Sequence, residues 1–360
     1  MKFFWIILVL LLPHAVSADI EKNYKARVTE VISESIRTVP GLGESPTQTI
    51  QVEFLSGDLS GKSIEIENDY VQLKKGDKAY ILKVTRSEDG KDIFSLRDPY
   101  RLDTILYLAI AFLVLVVIFG GMQGVRGLLS LAGSLVLISY VLLPGILNGL
   151  SPIWLTVGVS SLIIILGSYI THGFNRTTSA AVIGMIMTVL VTGLLAHIVV
   201  QTANLTGFES DEAIYLNIST EGRIDFLGLL LGGIMIGLLG VLYDVAIGQA
   251  ISVEELLNID PKVSKRYLYK RVLRIGREHI GALINTLAIA YVGVSLPLLL
   301  LFYQTTMDPL VVINKEIFSA EIVRTLVGSI GLILAVPITT LISVFVVRAR
   351  HGHTHNHHHS

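Results

Sequence analysis

Two hydropathy patterns divide the chain. Between about residues 19 and 102, apolar positions recur at every second residue in short runs: Tyr24-Ala26-Val28, Ile50-Val52-Phe54, Ser63-Ile64-Glu65-Ile66 and Tyr80-Leu82-Val84. That is the period of strands with one buried face, and Ser56-Gly57-Asp58, Ser60-Gly61-Lys62 and Lys75-Gly76-Asp77 punctuate them as turns. About five short strands predict a small β-barrel or sandwich with a modest core. From Leu102 onward the alternation stops. Unbroken apolar runs follow at roughly 103–119, 127–145, 152–170, 178–200, 224–247, 280–302 and 321–347, and each is long enough for a helix to cross about 30 Å of hydrocarbon. The fold class expected is an α-helical polytopic membrane bundle of about seven spans, residues 103–347, carrying a small N-terminal β-barrel-like domain, residues 19–102.

Composition agrees. The chain is 52% hydrophobic and 16% charged, with a mean hydropathy of +0.65, too apolar for a soluble protein of this length. The net charge of −1 identifies no partner, because charge is segregated along the chain. Residues 19–102 hold nearly half of the 28 Lys and Arg. Ahead of them, residues 1–18 combine Lys2, an apolar core from Phe3 to Leu12, Pro13, and the small residues Ser17 and Ala18. This reads as a signal peptide or as an uncleaved N-terminal anchor. The linkers after spans one, three, five and seven carry Arg126, Arg176, the run from Lys262 to Arg277, and Arg348 with Arg350, whereas those after two, four and six carry only Arg223, Lys315 and Arg324. The positive-inside rule then places residues 19–102 outside the cytoplasmic membrane and the C-terminal tail, residues 348–360, in the cytoplasm. With no cysteine, disulfides, thiolate metal sites and cysteine nucleophiles are excluded.

Polar residues at membrane depth concentrate in spans five and six. Gly228, Gly232, Gly240, Asp244 and Gly248 fall on one i+4 row, interrupted by Ile236, which suggests close helix packing along it. A carboxylate on such a row points to the bundle interior, so Asp244 is a candidate for a solute path; pairing with an Arg of the next linker is the alternative. In the connector, 248–280, Ser252-Val253-Glu254-Glu255 matches a capping box and Asp260-Pro261 a second helix start, predicting two helices on the inner surface. Lys262, Arg266, Lys270 and Arg274 recur every four residues beside an apolar row of Leu268, Val272 and Ile275, as in an interfacial helix that meets anionic lipid headgroups. Such placement favours lipid over nucleic acid as the partner of these charges. In span six, Glu278, Ala282, Asn285, Ile289 and Gly293 share a face, with Thr286 beside it. Directed inward, that face would hydrogen-bond a neighbouring helix or contact a transported species. Pro297 is expected to kink or end the helix.

The tail His351, His353, His355, His357, His358 and His359 holds most of the ten histidines and suits weak divalent-metal capture. No His-Glu-x-x-His, Gly-x-Ser-x-Gly or paired intramembrane aspartate motif is found, so neither catalysis nor a cofactor is expected.

The run G-x-x-x-D-V-A-I-G-Q-A-x-S-V-x-E-L from Gly240 to Leu256, followed by G-R-E-H-I-G-A-L-I-N-T-L-A-I-A-Y from Gly276 to Tyr291 and by Ser295-Leu296-Pro297, resembles the YibE/F-like family of bacterial membrane proteins. The order of signal segment, β-domain and spans is similar too, although the histidine tail is not part of that pattern. The resemblance implies the architecture, names no substrate, and makes Asp244, Gln249, Glu254, Arg277, His279 and Asn285 the positions to test. The residues leave three functional classes: a transporter or channel for a small solute or ion, with metal efflux through the tail as a special case; a non-transporting envelope scaffold, with a protein partner at the outer domain; or a membrane enzyme. A homo-oligomer fits any of them.

Overall fold

The computed structural model describes residues 21–39, 43–85 and 91–349. The segment before Asp19 and the histidine tail lie outside them. The chain divides at Gly121 into two compact units.

The first unit contains the β-domain. Strands β1 (Glu21–Val39), β2 (Gly43–Phe54), β3 (Ser63–Asn68), β4 (Lys78–Thr85) and β5 (Asp92–Pro99) form one antiparallel sheet in the order β3-β2-β1-β4-β5. It curls into a half-barrel as its edge strands β3 and β5 approach each other. β1 serves both halves: Glu21–Arg27 pair with β4, and residues from Ala26 onward pair with β2 through two register shifts near Thr29 and Ile32. Such bulges bend a strand and increase its twist. The core consists of the alternating residues Tyr24, Ala26, Val28, Ile50, Val52, Phe54 and Ile66. β4 differs from the expected phase. It buries Ala79 and Ile81, leaving Tyr80, Leu82 and Val84 half-buried on the other face. Both faces of this strand are apolar, so alternation alone does not say which one points inward. The Tyr24 hydroxyl donates to Asp58 Oδ1 at 2.6 Å.

Helix α1 (Leu102–Leu137) leaves the helical backbone at Gly121, where φ is 52° and ψ −141°, a conformation that glycine adopts without the Cβ penalty. With the π turn Ile138–Leu142 and helix α2 (Leu143–Leu147) it forms a 46-residue apolar segment. If straight it would reach about 70 Å, roughly twice the hydrocarbon thickness. The break falls where the sequence separates spans one and two.

The second unit is a helical bundle. It continues through α3 (Pro152–His172), α4 (Arg176–Thr202), α5 (Asp211–Ser219), α6 (Phe226–Ile259), α7 (Lys265–Val294), α8 (Leu296–Tyr303), α9 (Pro309–Ile313) and α10 (Glu316–Val346). Five helices among the described residues are long and apolar enough to cross a membrane, counting the 46-residue segment once. A sixth is obtained when α7 and α8 are joined across their 68° bend. The bend lies at Ser295, with Pro297 in the first turn of α8, where proline is tolerated.

Local chemistry sets the helix ends. Asn175, Ser210, Asp225, Ser264 and Asp308 each accept a backbone N–H at the start of α4, α5, α6, α7 and α9. The predicted pair of inner-surface helices does not form. α6 runs through Ser252, whose hydroxyl donates back to Gly248 O at 2.8 Å, so the capping-box pattern goes unused. Asp260 closes α6, and the following helix starts at Ser264 and continues without interruption into the sixth apolar run. Its apolar row also serves differently: Leu268 and Val272 are buried against Val253 of α6 and Val344 of α10, not laid on a bilayer.

α4 and α10 pack most closely where small residues interlock. A Cβ on Gly184 would stand 2.5 Å from Thr339 Oγ1 and 2.9 Å from Thr339 Cα, and one on Gly331 would stand 2.6 Å from Thr192 Oγ1. The two contacts are reciprocal, glycine against threonine on both helices, with Met185, Val189, Leu332, Ala335 and Val336 buried between and around them.

Two predictions follow from these contacts. The Asp58 hydrogen bond, and then burial, push the Tyr24 phenol up to about 12 from 10.0, so the stability it gives is complete below pH 10 and is lost as pH rises through about 12. In the full chain in detergent, the phenolate absorbance difference between wild type and Tyr24→Phe should titrate near 12; titration near 10 refutes the contact. In the bundle, Gly184→Ala should cost about 1–3 kcal/mol by overpacking, read as a lowered thermal unfolding midpoint in micelles.

Candidate functional site

The i+4 spacing of α6 brings Asp244, Gly248 and Ser252 onto one row, with Val245 and Gln249 beside it. On α7, Ile275, His279 and Leu283 form a second row with the same spacing. Together with Val336 of α10 these rows line a cavity of about 220 Å³. Three of the residues singled out from sequence, Asp244, Gln249 and His279, therefore meet in one place, although Gln249 and His279 stand 30 positions apart in the chain.

Each plays a different physical role. Gln249 is 5% exposed and is locked in position: Thr340 Oγ1 lies 2.9 Å from its Oε1 and 2.6 Å from the Val336 carbonyl, so one hydroxyl proton serves two acceptors. Gly276 backs onto the same amide, since a Cβ there would stand 2.9 Å from both amide atoms and 2.5 Å from Val336 Cγ1. The side chain thus joins α6, α7 and α10. His279 Nδ1 lies 3.3 Å from the Ile275 carbonyl oxygen. A carbonyl oxygen only accepts, so Nδ1 is the donor in this bond. Asp244 is exposed, with no ion pair among the described residues. The predicted pairing with a linker arginine is absent from the described contacts, leaving the carboxylate free to face the cavity.

The glycine row is therefore packed over only half its length. Gly228 and Gly232 lie against Pro152 and Thr156 of α3, whereas Gly240 and Gly248 have open space around them. In that second half Asp244 and Gly248 line the cavity rather than a helix contact. Glu254 lies one level further in, where it accepts from Thr177 Oγ1 of α4 at 2.8 Å. The other predicted residues are elsewhere. Arg277, Glu278, Asn285 and Thr286 are exposed, as are Ala282, Ile289 and Gly293, so the face expected to point inward points away from the bundle. The inward residues are Val272, Gly276, Leu283 and Leu287, which are larger and more apolar on average. In a membrane the polarity of a helix face does not reveal its direction when the opposite face is also apolar. Thr286 satisfies its hydroxyl on the Ala282 carbonyl at 2.9 Å. Lys262, Arg266, Lys270 and Arg274 are all exposed.

Two groups of residues had no sequence signal strong enough to find them. Thr340 is one of several threonines in an apolar run and gains meaning only from Gln249. At the opposite end of the bundle, Arg324 pairs with both Glu321 and Glu209, and Glu316 accepts the Thr206 and Gly207 backbone N–H groups at 2.6 and 2.7 Å. Burial raises the Glu209 carboxyl against the opposing pull of Arg324. The segment after α4 is thus partly folded onto α10. No group of three His, Asp or Glu among the described residues is arranged to hold a metal ion.

Long apolar helices joined by polar loops, with a cavity that holds a few polar side chains between two of them, define a multi-pass membrane protein. The model of the YibE/F-like protein family matches residues 108–349, and the chain belongs to that family. No curated protein and no solved structure matches it. The matched region includes every residue of the cavity.

If Gln249 is the joint between the three helices, Thr340→Val should destabilise the bundle by about 1–3 kcal/mol by stranding a buried amide oxygen. Combined with Gln249→Leu it should cost less than the sum of the two single changes. A double-mutant cycle on thermal unfolding in detergent checks this, and strict additivity would exclude the contact.

Proposed function

We propose that the protein is a transporter or channel for a small solute or ion, and that the cavity between α6 and α7 lies on the path. The observation that carries this reading is the convergence of Asp244, Gln249 and His279 around one opening. A carboxylate, an amide and an imidazole supply a charge, a fixed donor-acceptor and a proton exchanger. Ionisable groups inside a membrane are costly and characteristically mark substrate or proton routes. The unpaired carboxylate favours a cation or a protonatable solute.

In this reading the helix break at Gly121 makes two spans of the 46-residue segment, and the α7–α8 pair makes one, giving seven. The basic run from Lys262 to Arg277 lies on the cytoplasmic side, where Lys262, Arg266, Lys270 and Arg274 meet anionic headgroups, and the β-domain lies outside.

Comparing metals and metabolites in cells with and without the protein should reveal a solute whose level changes. In vesicles holding purified protein, Asp244→Ala should then lower the flux of that solute by about tenfold or more, the loss of one charged hydrogen bond, while Arg266→Ala leaves it near wild type. Identical cell contents in the two strains, or full flux in the Asp244 variant, overturns the proposal and favours a scaffold.

A further inference from the structure

The outward face of α7 is the least expected surface of the bundle. Asn285 stands on it seven residues past Glu278, about 10 Å further along the helix, between the apolar residues Ile284 and Leu287. It is exposed, and among the described residues its amide has no hydrogen-bond partner. An amide facing hydrocarbon without a partner costs several kcal/mol. Such a group needs a cover that offers both a donor and an acceptor. Residues 108–120, most of the first apolar run, contain no side-chain donor or acceptor.

The surroundings of Asn285 fit one kind of cover in particular. Ala282 lies one turn below it and Ile289 one turn above, and Gly281 and Gly293 have nothing within 4 Å of a built Cβ. Another helix can therefore approach the backbone closely at both ends of the face. At the inner end, Arg277 and Glu278 are adjacent, exposed and unpaired with each other, since neighbours in a helix do not face one another. Positions 278 and 285 are seven residues apart and so lie on one seam of two parallel helices, with 277 flanking it. Across a two-fold axis an amide is its own complement, donating to and accepting from its copy. The same axis sets Arg277 of each copy beside Glu278 of the other. The face is thus self-complementary in shape and hydrogen bonding, which is the requirement for an isologous contact.

We propose that this protein forms a homodimer through α7, with the two Asn285 amides paired on the two-fold axis and two Arg277–Glu278 pairs closing the inner end. The inference goes beyond the transport reading and does not depend on it.

The absence of cysteine makes the test direct. Ile289, 69% exposed, and Ala282 are each replaced by cysteine in the full chain, and vesicles are treated with a copper-phenanthroline oxidant. Ile289→Cys or Ala282→Cys should give a disulfide-linked species at twice the 39.3 kDa chain mass, while Leu194→Cys, 62% exposed on α4, should stay monomeric. In the Ile289→Cys background, Asn285→Leu should reduce the linked fraction by about tenfold at limiting protein density, the loss of an interhelical amide pair, and Asn285→Gln should restore most of it. Monomers at both positions, a linked product of another mass, or linkage indifferent to Asn285→Leu overturns the proposal. Asp244→Ala should leave linkage unchanged, so a failure of the transport reading is distinguishable from a failure of this one.

Discussion

Apolar side chains gain nothing by exchanging lipid for one another, so helices in a bilayer hold together where their backbones can come close. In this chain that requirement is met between α4 and α10. Gly184 receives Thr339, and Thr192 lies against Gly331. Because the contacts stand eight positions apart on each helix, the pair is fixed in register as well as in distance. Neither contact survives a larger residue at the glycine without a shift of backbone or hydroxyl.

The cavity depends on that register. α10 contributes Val336 to its wall and Thr340 to the amide of Gln249, and both positions lie within one turn of Thr339. α7 is brought against the same junction by Gly276, where any side chain would collide with Gln249 and Val336. Three helices thus meet on one buried amide, and beyond it Asp244 and His279 face an opening. A buried amide whose oxygen accepts from Thr340 gives a fixed floor, while the unpaired carboxylate beside it remains available. That division between a fixed amide and a free charge is what a site for a transient guest requires.

The opposite end of the bundle is organised differently. Glu316 gathers two backbone N–H groups of the loop after α4, and Arg324 is held between Glu209 and Glu321. These contacts tie the loop to α10, so the helix that anchors the cavity towards one end also anchors the connection at the other. Movement of α10 would be felt at both.

Much of the architecture was readable from sequence because lipid leaves the backbone few options. An apolar run of sufficient length must become a helix that satisfies its own N–H and C=O groups, and so the limits of α3 and α4 lie within a few residues of the apolar runs. The alternation of Tyr24, Ala26 and Val28 was equally clear, because the opposite face of that strand is polar. Where both faces are apolar the signal fails, as β4 shows with its buried Ala79 and Ile81. The same failure explains Asn285. Its polarity suggested an inward direction, but direction in a membrane is decided by which side offers small, complementary partners. Sequence by itself determined most of the element types, their order, the family and the choice of Asp244, Gln249 and His279 as positions to test, since these depend on local composition and spacing. Only tertiary structure decided that those three share a cavity, that Thr340 and Gly276 hold it in shape, and that Glu278 and Asn285 face away, because each depends on distances between helices that no periodicity within one helix encodes.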